Sequence, residues 1–203
     1  MNPIGMKTKI LIATSIIVLI TLGCSNHKEE AKPQLDVSKA APYRILGKKT
    51  WHFMNAERGT IFIESPNILG FEERAHTVMK AALELSEQFK LDDTEVMLVP
   101  SERLMERGLH YARAVYKNER AKLPNQDTWK VMSSDDVLSG KDIAMAELYL
   151  KNADKFVTKE GDTDHDRLVR FIAKQMKVPE EEAGLPTIFT RPYEPKYRQP
   201  KMP

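Results

Sequence analysis

Residues 72–90 carry an apolar stripe that fits a helix buried along one face. Ala75, Val78, Met79, Ala82, Leu85, Ser86 and Phe89 recur at i, i+3, i+4 and i+7, the spacing that lines up side chains on one helical face. On either side lie runs that read as strands. Residues 60–64 (Thr-Ile-Phe-Ile-Glu) are rich in β-branched side chains, and residues 94–99 are largely apolar. Strand, helix, strand in that order predicts a right-handed crossover joining a parallel pair.

Further elements build on this unit. Residues 43–53 read as a strand bent at Gly47, and Glu57-Arg58-Gly59 reads as the turn that folds it back as a hairpin, Gly59 supplying a positive φ. Ser101 caps a short helix that Gly108 stops. Residues 109–116 alternate, with Leu109, Tyr111, Arg113 and Val115 on one face, and residues 128–133 pair with them across a polar loop at 117–127. Helices are expected at 142–157 and 163–176. The expected class is α+β: a small mixed sheet of about five strands with three main helices packed on one face.

The N-terminus belongs to a different regime. Lys7 and Lys9 precede an apolar run from Ile10 to Leu22, and the chain turns polar immediately after Cys24. The run is too short to span a ~30 Å hydrocarbon core comfortably, so it reads as the apolar region of an export signal. Cys24 is the single cysteine of the chain, so no internal disulfide is available to an exported product. Thr21-Leu22-Gly23-Cys24 resembles the lipobox of bacterial lipoproteins, with Thr21 and Leu22 in reversed order. The resemblance implies cleavage between Gly23 and Cys24, lipidation of Cys24, and attachment to a bacterial membrane. Ser25 after the cysteine points to the outer membrane, facing the periplasm, in a Gram-negative cell.

Four segments follow: a signal peptide at 1–23, a flexible tether at 24–42, one α+β domain at 43–178, and a Pro-rich extended tail at 179–203. The tether, of about 18 residues, has a mean reach of roughly 23 Å. Without Lys7 and Lys9, the 31 Lys+Arg fall to 29, equal to the 29 Asp+Glu. A neutral domain offers neither the clustered cations that bind nucleic acid nor a polybasic patch for anionic lipid. The 41% hydrophobic content fits a globular domain rather than a disordered one.

Motifs for chemistry are sparse. Asp162, Asp164 and Asp166 alternate, but Arg167 and Ala173 stand where a calcium loop needs Gly and Glu, so a helix N-terminus accounts for them. His27, His52, His76, His110 and His165 lack metal-ligand spacing, and no phosphate loop, dinucleotide fingerprint or nucleophile elbow is present. No catalytic residue, metal site or cofactor is therefore expected. Arg113 lies on one strand face with Tyr111; on a solvated edge strand it needs no partner, and on a buried face it needs an acidic partner such as Glu95 or Glu64, or else lines a ligand groove.

The segments ERAHTVMKAALEL, YARAVYKNE and WKVMSSDDVLSGKDIAMAELYL resemble an uncharacterised family of small bacterial domains found in envelope lipoproteins. The resemblance covers residues 43–156 and implies no activity. The expected role is a non-enzymatic envelope module that binds a protein partner or is structural. The alternative is a small-ligand-binding lipoprotein with a groove at Tyr111 and Arg113.

Overall fold

A computed structural model of the chain describes residues 34–67, 69–105, 107–118 and 127–198, all within one compact unit. Gly23 and Cys24 lie outside the described residues, as does most of the polar loop expected at 117–127. The strands are β1 (Gln34–Leu35), β2 (Arg44–Phe53), β3 (Ala56–Glu64), β4 (Asp93–Leu98), β5 (Ala112–Lys117), β6 (Trp129–Ser133), β7 (Arg191–Tyr193) and β8 (Tyr197–Arg198). The helices are α1 (Phe71–Phe89), α2 (Gly140–Asn152) and α3 (His165–Met176). The class is α+β, with a mixed sheet in the order β2-β3-β4-β5-β6-β7 and a separate β1-β8 pair. The sheet has six strands rather than five because residues 191–193 add an edge. Only β3 and β4 run parallel, and α1 is the crossover between them, as the strand-helix-strand order requires.

Helix α1 starts where Glu73 Oε2 accepts the Gly70 N–H at 2.9 Å, with Glu72 and Glu73 complementing the helix dipole. It ends at Lys90, whose φ of 56° is left-handed. The expected stripe is buried, Ala75, Val78, Met79, Ala82 and Leu85 packing with Ile61, Ile63, Val96, Leu98, Ala112, Ala114 and Val131 of the sheet. Each large aliphatic side chain buried this way contributes about 1.5–3 kcal/mol.

Helices α2 and α3 do not share that face. Met145 and Tyr149 of α2 pack with Leu168, Ile172 and Ala173 of α3 and with Ala183 in a second apolar cluster. Their caps follow the sequence. Ser139 Oγ accepts the Asp142 N–H at 3.1 Å, and Asp164 Oδ1 accepts the Arg167 N–H at 3.1 Å.

The β2–β3 turn is not at Glu57-Arg58-Gly59. Met54 and Asn55 form it, with φ of 49° and 65°, the paired positive values that suit a two-residue hairpin. Gly59 lies inside β3, where a Cβ would stand 2.7 Å from Leu91 Cδ1. Gly47 is the expected bend: the register shifts between Ile45 and Gly47, and Met105 Sδ lies 2.6 Å from the place a Cβ would occupy.

Both ends of the expected domain need extending. Residues 34–41, assigned to the tether, are tied to α1: Lys39 N–H donates to His76 Nδ1 at 3.2 Å and Ala41 N–H to Thr77 Oγ1 at 2.9 Å. Leu35, Val37 and Ala41 pack against the main core. In the expected tail, Tyr193 of β7 is buried in that core, and β8 pairs with β1. Pro192, in the edge strand β7, stands where a missing N–H is tolerated.

His76, 3% exposed, accepts the Lys39 N–H at Nδ1, so its proton sits on Nε2 and is donated to Tyr193 Oη at 2.8 Å. Burial lowers its pKa below the ordinary 6.5, outweighing Asp36 and Glu72 nearby. A depressed folded value means that the neutral ring's contribution to stability is complete above the unfolded pKa. It is lost as pH falls from there through the folded value. Denaturant midpoints between pH 8 and 5 should therefore fall more steeply for the native chain than for His76→Gln, and parallel profiles would contradict this assignment.

Candidate functional site

The groove expected at Tyr111 and Arg113 divides in two. Arg113, in β5 opposite Met97, lies on the sheet face away from α1. Its Nε donates to Glu95 Oε1, one of the two acidic partners considered for it. Thr60 Oγ1 donates to the other oxygen, Glu95 Oε2, at 2.7 Å. Trp51, Arg58, Asp93 and Lys117 complete a shallow depression of about 260 Å³ around them. Arg58 Nε is 3.9 Å from Asp93 Oδ2, and the guanidinium sits 5.0 Å from the Phe53 ring.

Tyr111 is not in that depression. It precedes β5, and its N–H donates to Leu98 O at 2.8 Å. Outside the ladder it is not bound by the strand's alternation, and its side chain packs on the α1 side of the core. Its ring lies 4.2 Å from the Arg74 guanidinium carbon.

Tyr111 and Arg74 line a cavity of about 170 Å³. Ser65 and Asn67 follow β3, and Val99 and Pro100 follow β4, so the cavity opens at the carboxyl ends of the parallel pair, the usual location of ligands in sheets with a helical crossover. Leu69 precedes α1, Val137 and Leu138 form a strap after β6, and Ile143 of α2 closes the far wall.

Arg74 is the unusual group here. It is 2% exposed, and among the described residues it forms no ion pair. Nη1 donates to the Ser134 carbonyl at 2.6 Å, and the guanidinium carbon lies over the Tyr111 ring. Burial lowers its pKa, with Tyr111, Asp135 and Asp136 opposing. The two aspartates are otherwise engaged: Asp135 binds Arg191 at 2.6 Å, and Asp136 accepts the Phe189 N–H at 2.5 Å. A buried cation without a carboxylate partner costs several kcal/mol unless another anion meets it. Sequence reading missed Arg74 because the stripe was traced through apolar residues. The available signal was its position four before Val78 and three before Thr77, both fully buried.

Among the described residues the remaining sequence candidates form no centre, and His27 lies outside them. His110 Nδ1 bonds the Gly108 carbonyl at 3.0 Å, His52 pairs with Glu57, and His165 bonds Tyr149 Oη. Asp164 serves as the α3 cap. Among the described residues no group of three His, Cys, Asp or Glu side chains is placed to hold a metal ion, and no described helix is long and apolar enough to cross a membrane.

Removing Glu95 strands Arg113 and Thr60. Glu95→Ala should cost about 1–2 kcal/mol, since Arg113 remains partly solvated, and adding Arg113→Ala should cost less than the two single losses together. Strict additivity in urea unfolding would show that the pair does not interact.

The family described as a domain of unknown function, DUF4875, matches residues 38–188. The crystal structure of a DUF487 family protein from Desulfovibrio piger ATCC 29098 is similar, with a TM-score of 0.66 at 20% identity, over 77% of this chain and 97% of that one. That likeness concerns the fold. No curated protein matches the chain.

Proposed function

Because the chain belongs to the DUF4875 family, a domain of unknown function, we propose its role from its own residues: a lipid-anchored bacterial envelope protein whose domain binds a small ligand in the Arg74 crevice. The observation that carries the binding reading is Arg74 itself, buried against a cavity and held by a carbonyl and an aromatic face rather than by an acid. Such a group gains most from an anion that arrives from outside. The site therefore moves from the sheet face around Arg113, where Glu95 already satisfies the cation, to the crevice around Arg74. Tyr111 is the residue retained from the sequence expectation.

The envelope reading rests on the N-terminal sequence. Cys24 would take the lipid after cleavage beyond Gly23, and two or three acyl chains hold a protein stably where one does not. Cys24→Ala should abolish incorporation of a clickable fatty acid and leave an unprocessed precursor. Persistent labelling of that variant would rule out Cys24 as the anchor.

A protein-interaction role has one observation in its favour. Trp51 and Phe53 are half exposed and Met54 is 80% exposed at the β2–β3 tip, an apolar cluster of the kind that partners cover. A metabolite screen by thermal shift separates the readings. A ligand at 100 times its Kd stabilises by about 2.7 kcal/mol, which raises Tm by roughly 5–10 °C for a chain of this size. Arg74→Met should remove that shift. A shift that survives Arg74→Met but disappears when Trp51 and Phe53 are changed to Ser would move the function to the hairpin tip.

A further inference from the structure

We infer that the ligand of the Arg74 crevice is a small aliphatic monocarboxylate, free rather than carried on a macromolecule; the inference rests on the ligand-binding reading above. It starts from the donor geometry. Nη1 is committed to Ser134 O, and Arg74 makes no other hydrogen bond among the described residues. The Nε–Nη2 edge is thus intact: two parallel N–H donors in the fixed fork that matches the two oxygens of one carboxylate. Among the described residues no Arg74 nitrogen is sealed without a partner, and the cavity that Arg74 lines is the space available to this edge. The Tyr111 ring, 4.2 Å from the guanidinium carbon, and the bond to Ser134 O together restrain the fork. Arg74 is therefore oriented before any ligand arrives, which lowers the entropy lost on binding.

Charge selects the monoanion. Arg74 is the one charged residue among the described lining, and Asp135 and Asp136 stand close enough to act on it. A phosphate or dicarboxylate dianion would meet a single guanidinium and leave its second charge against an apolar wall. Shape selects the body. Leu69, Val99, Pro100, Val137 and Ile143 make an apolar wall, and ≈ 170 Å³ is well below the ~300–1,000 Å³ of pockets for drug-sized ligands. A short hydrocarbon chain fits this space.

The test is isothermal titration of the full chain in detergent with butanoate, butanamide, succinate, inorganic phosphate and octanoate, in matched salt. Butanoate should bind saturably and more tightly than the other four. Arg74→Met should abolish its binding, and Arg74→Lys should weaken it roughly ten-fold or more, because an ammonium cannot present the planar fork. Ile143→Phe, which fills the cavity and leaves Arg74 in place, should abolish binding as well and keeps the test valid if Arg74→Met fails to fold. Equal binding of butanamide, or tighter binding of succinate or phosphate, would overturn the monocarboxylate and leave the crevice as a ligand site. Preference for octanoate would overturn the short body. Butanoate binding that survives both Arg74→Met and Ile143→Phe would overturn the inference and the crevice together. No binding of any of the five would overturn the carboxylate class, while the unbiased metabolite screen would still decide the crevice.

Discussion

Helix α1 is buried around its first turns, and every polar group it carries inward has to be met by another part of the chain. Arg74, Ala75, His76, Thr77, Val78 and Met79 are consecutive and all buried. A helix flanked by one sheet face would bury a stripe; six buried residues in succession require cover on the other sides. The periphery of the fold is that cover. Thr77 Oγ1 donates to Glu73 O at 2.6 Å and accepts the Ala41 N–H. His76 joins the segment before β2 to β7 through Lys39 and Tyr193. Arg74 fixes the strap after β6 through Ser134.

This arrangement explains why the two chain ends are part of the domain. Residues 34–41 and 191–198 add apolar side chains to the core, among them Leu35, Val37 and Tyr193, and they also supply hydrogen-bond partners that buried groups need. Exposed ion pairs reinforce the closure: Glu72 meets Lys39 and Lys196, and Arg198 meets Asp36 at 3.0 Å. Such pairs contribute little each, so the buried bonds to His76 and Thr77 carry more of the attachment.

Where periodicity or chirality dictates structure, the sequence was legible. The α1 stripe, the parallel β3–β4 pair, the bend at Gly47 and the acidic start of α3 could all be read from spacing and residue chemistry, whereas for Arg113 the same reasoning leaves Glu95 and Glu64 as alternatives. Features set by contacts between distant segments were not. Gly59 looked like a turn residue, but it is a glycine because Leu91 leaves no room for a side chain. The actual turn uses Met54, which has no turn preference, and only Asn55 hinted at it. Tyr111 was placed with Arg113 by strict alternation, which does not hold outside the ladder. Arg74 was hidden because a charged residue on a helix is ordinarily solvated; its burial depends on Tyr111, Ser134 and the strap, which lie far along the chain.

Of the four buried polar side chains of α1, Thr77, His76 and Ser86 are satisfied within the chain, and Arg74 is bonded at one nitrogen. The remaining edge of Arg74 is the point at which the fold turns into a binding site. The most direct measurement is the side-chain Nε–H resonance of Arg74, assigned by its loss in Arg74→Lys, followed as butanoate is added to the labelled full chain. A saturable shift of that resonance, with accompanying shifts at Tyr111 and Leu138, is the predicted result. Saturable shifts elsewhere in the protein, with the Arg74 resonance unmoved, would contradict the account.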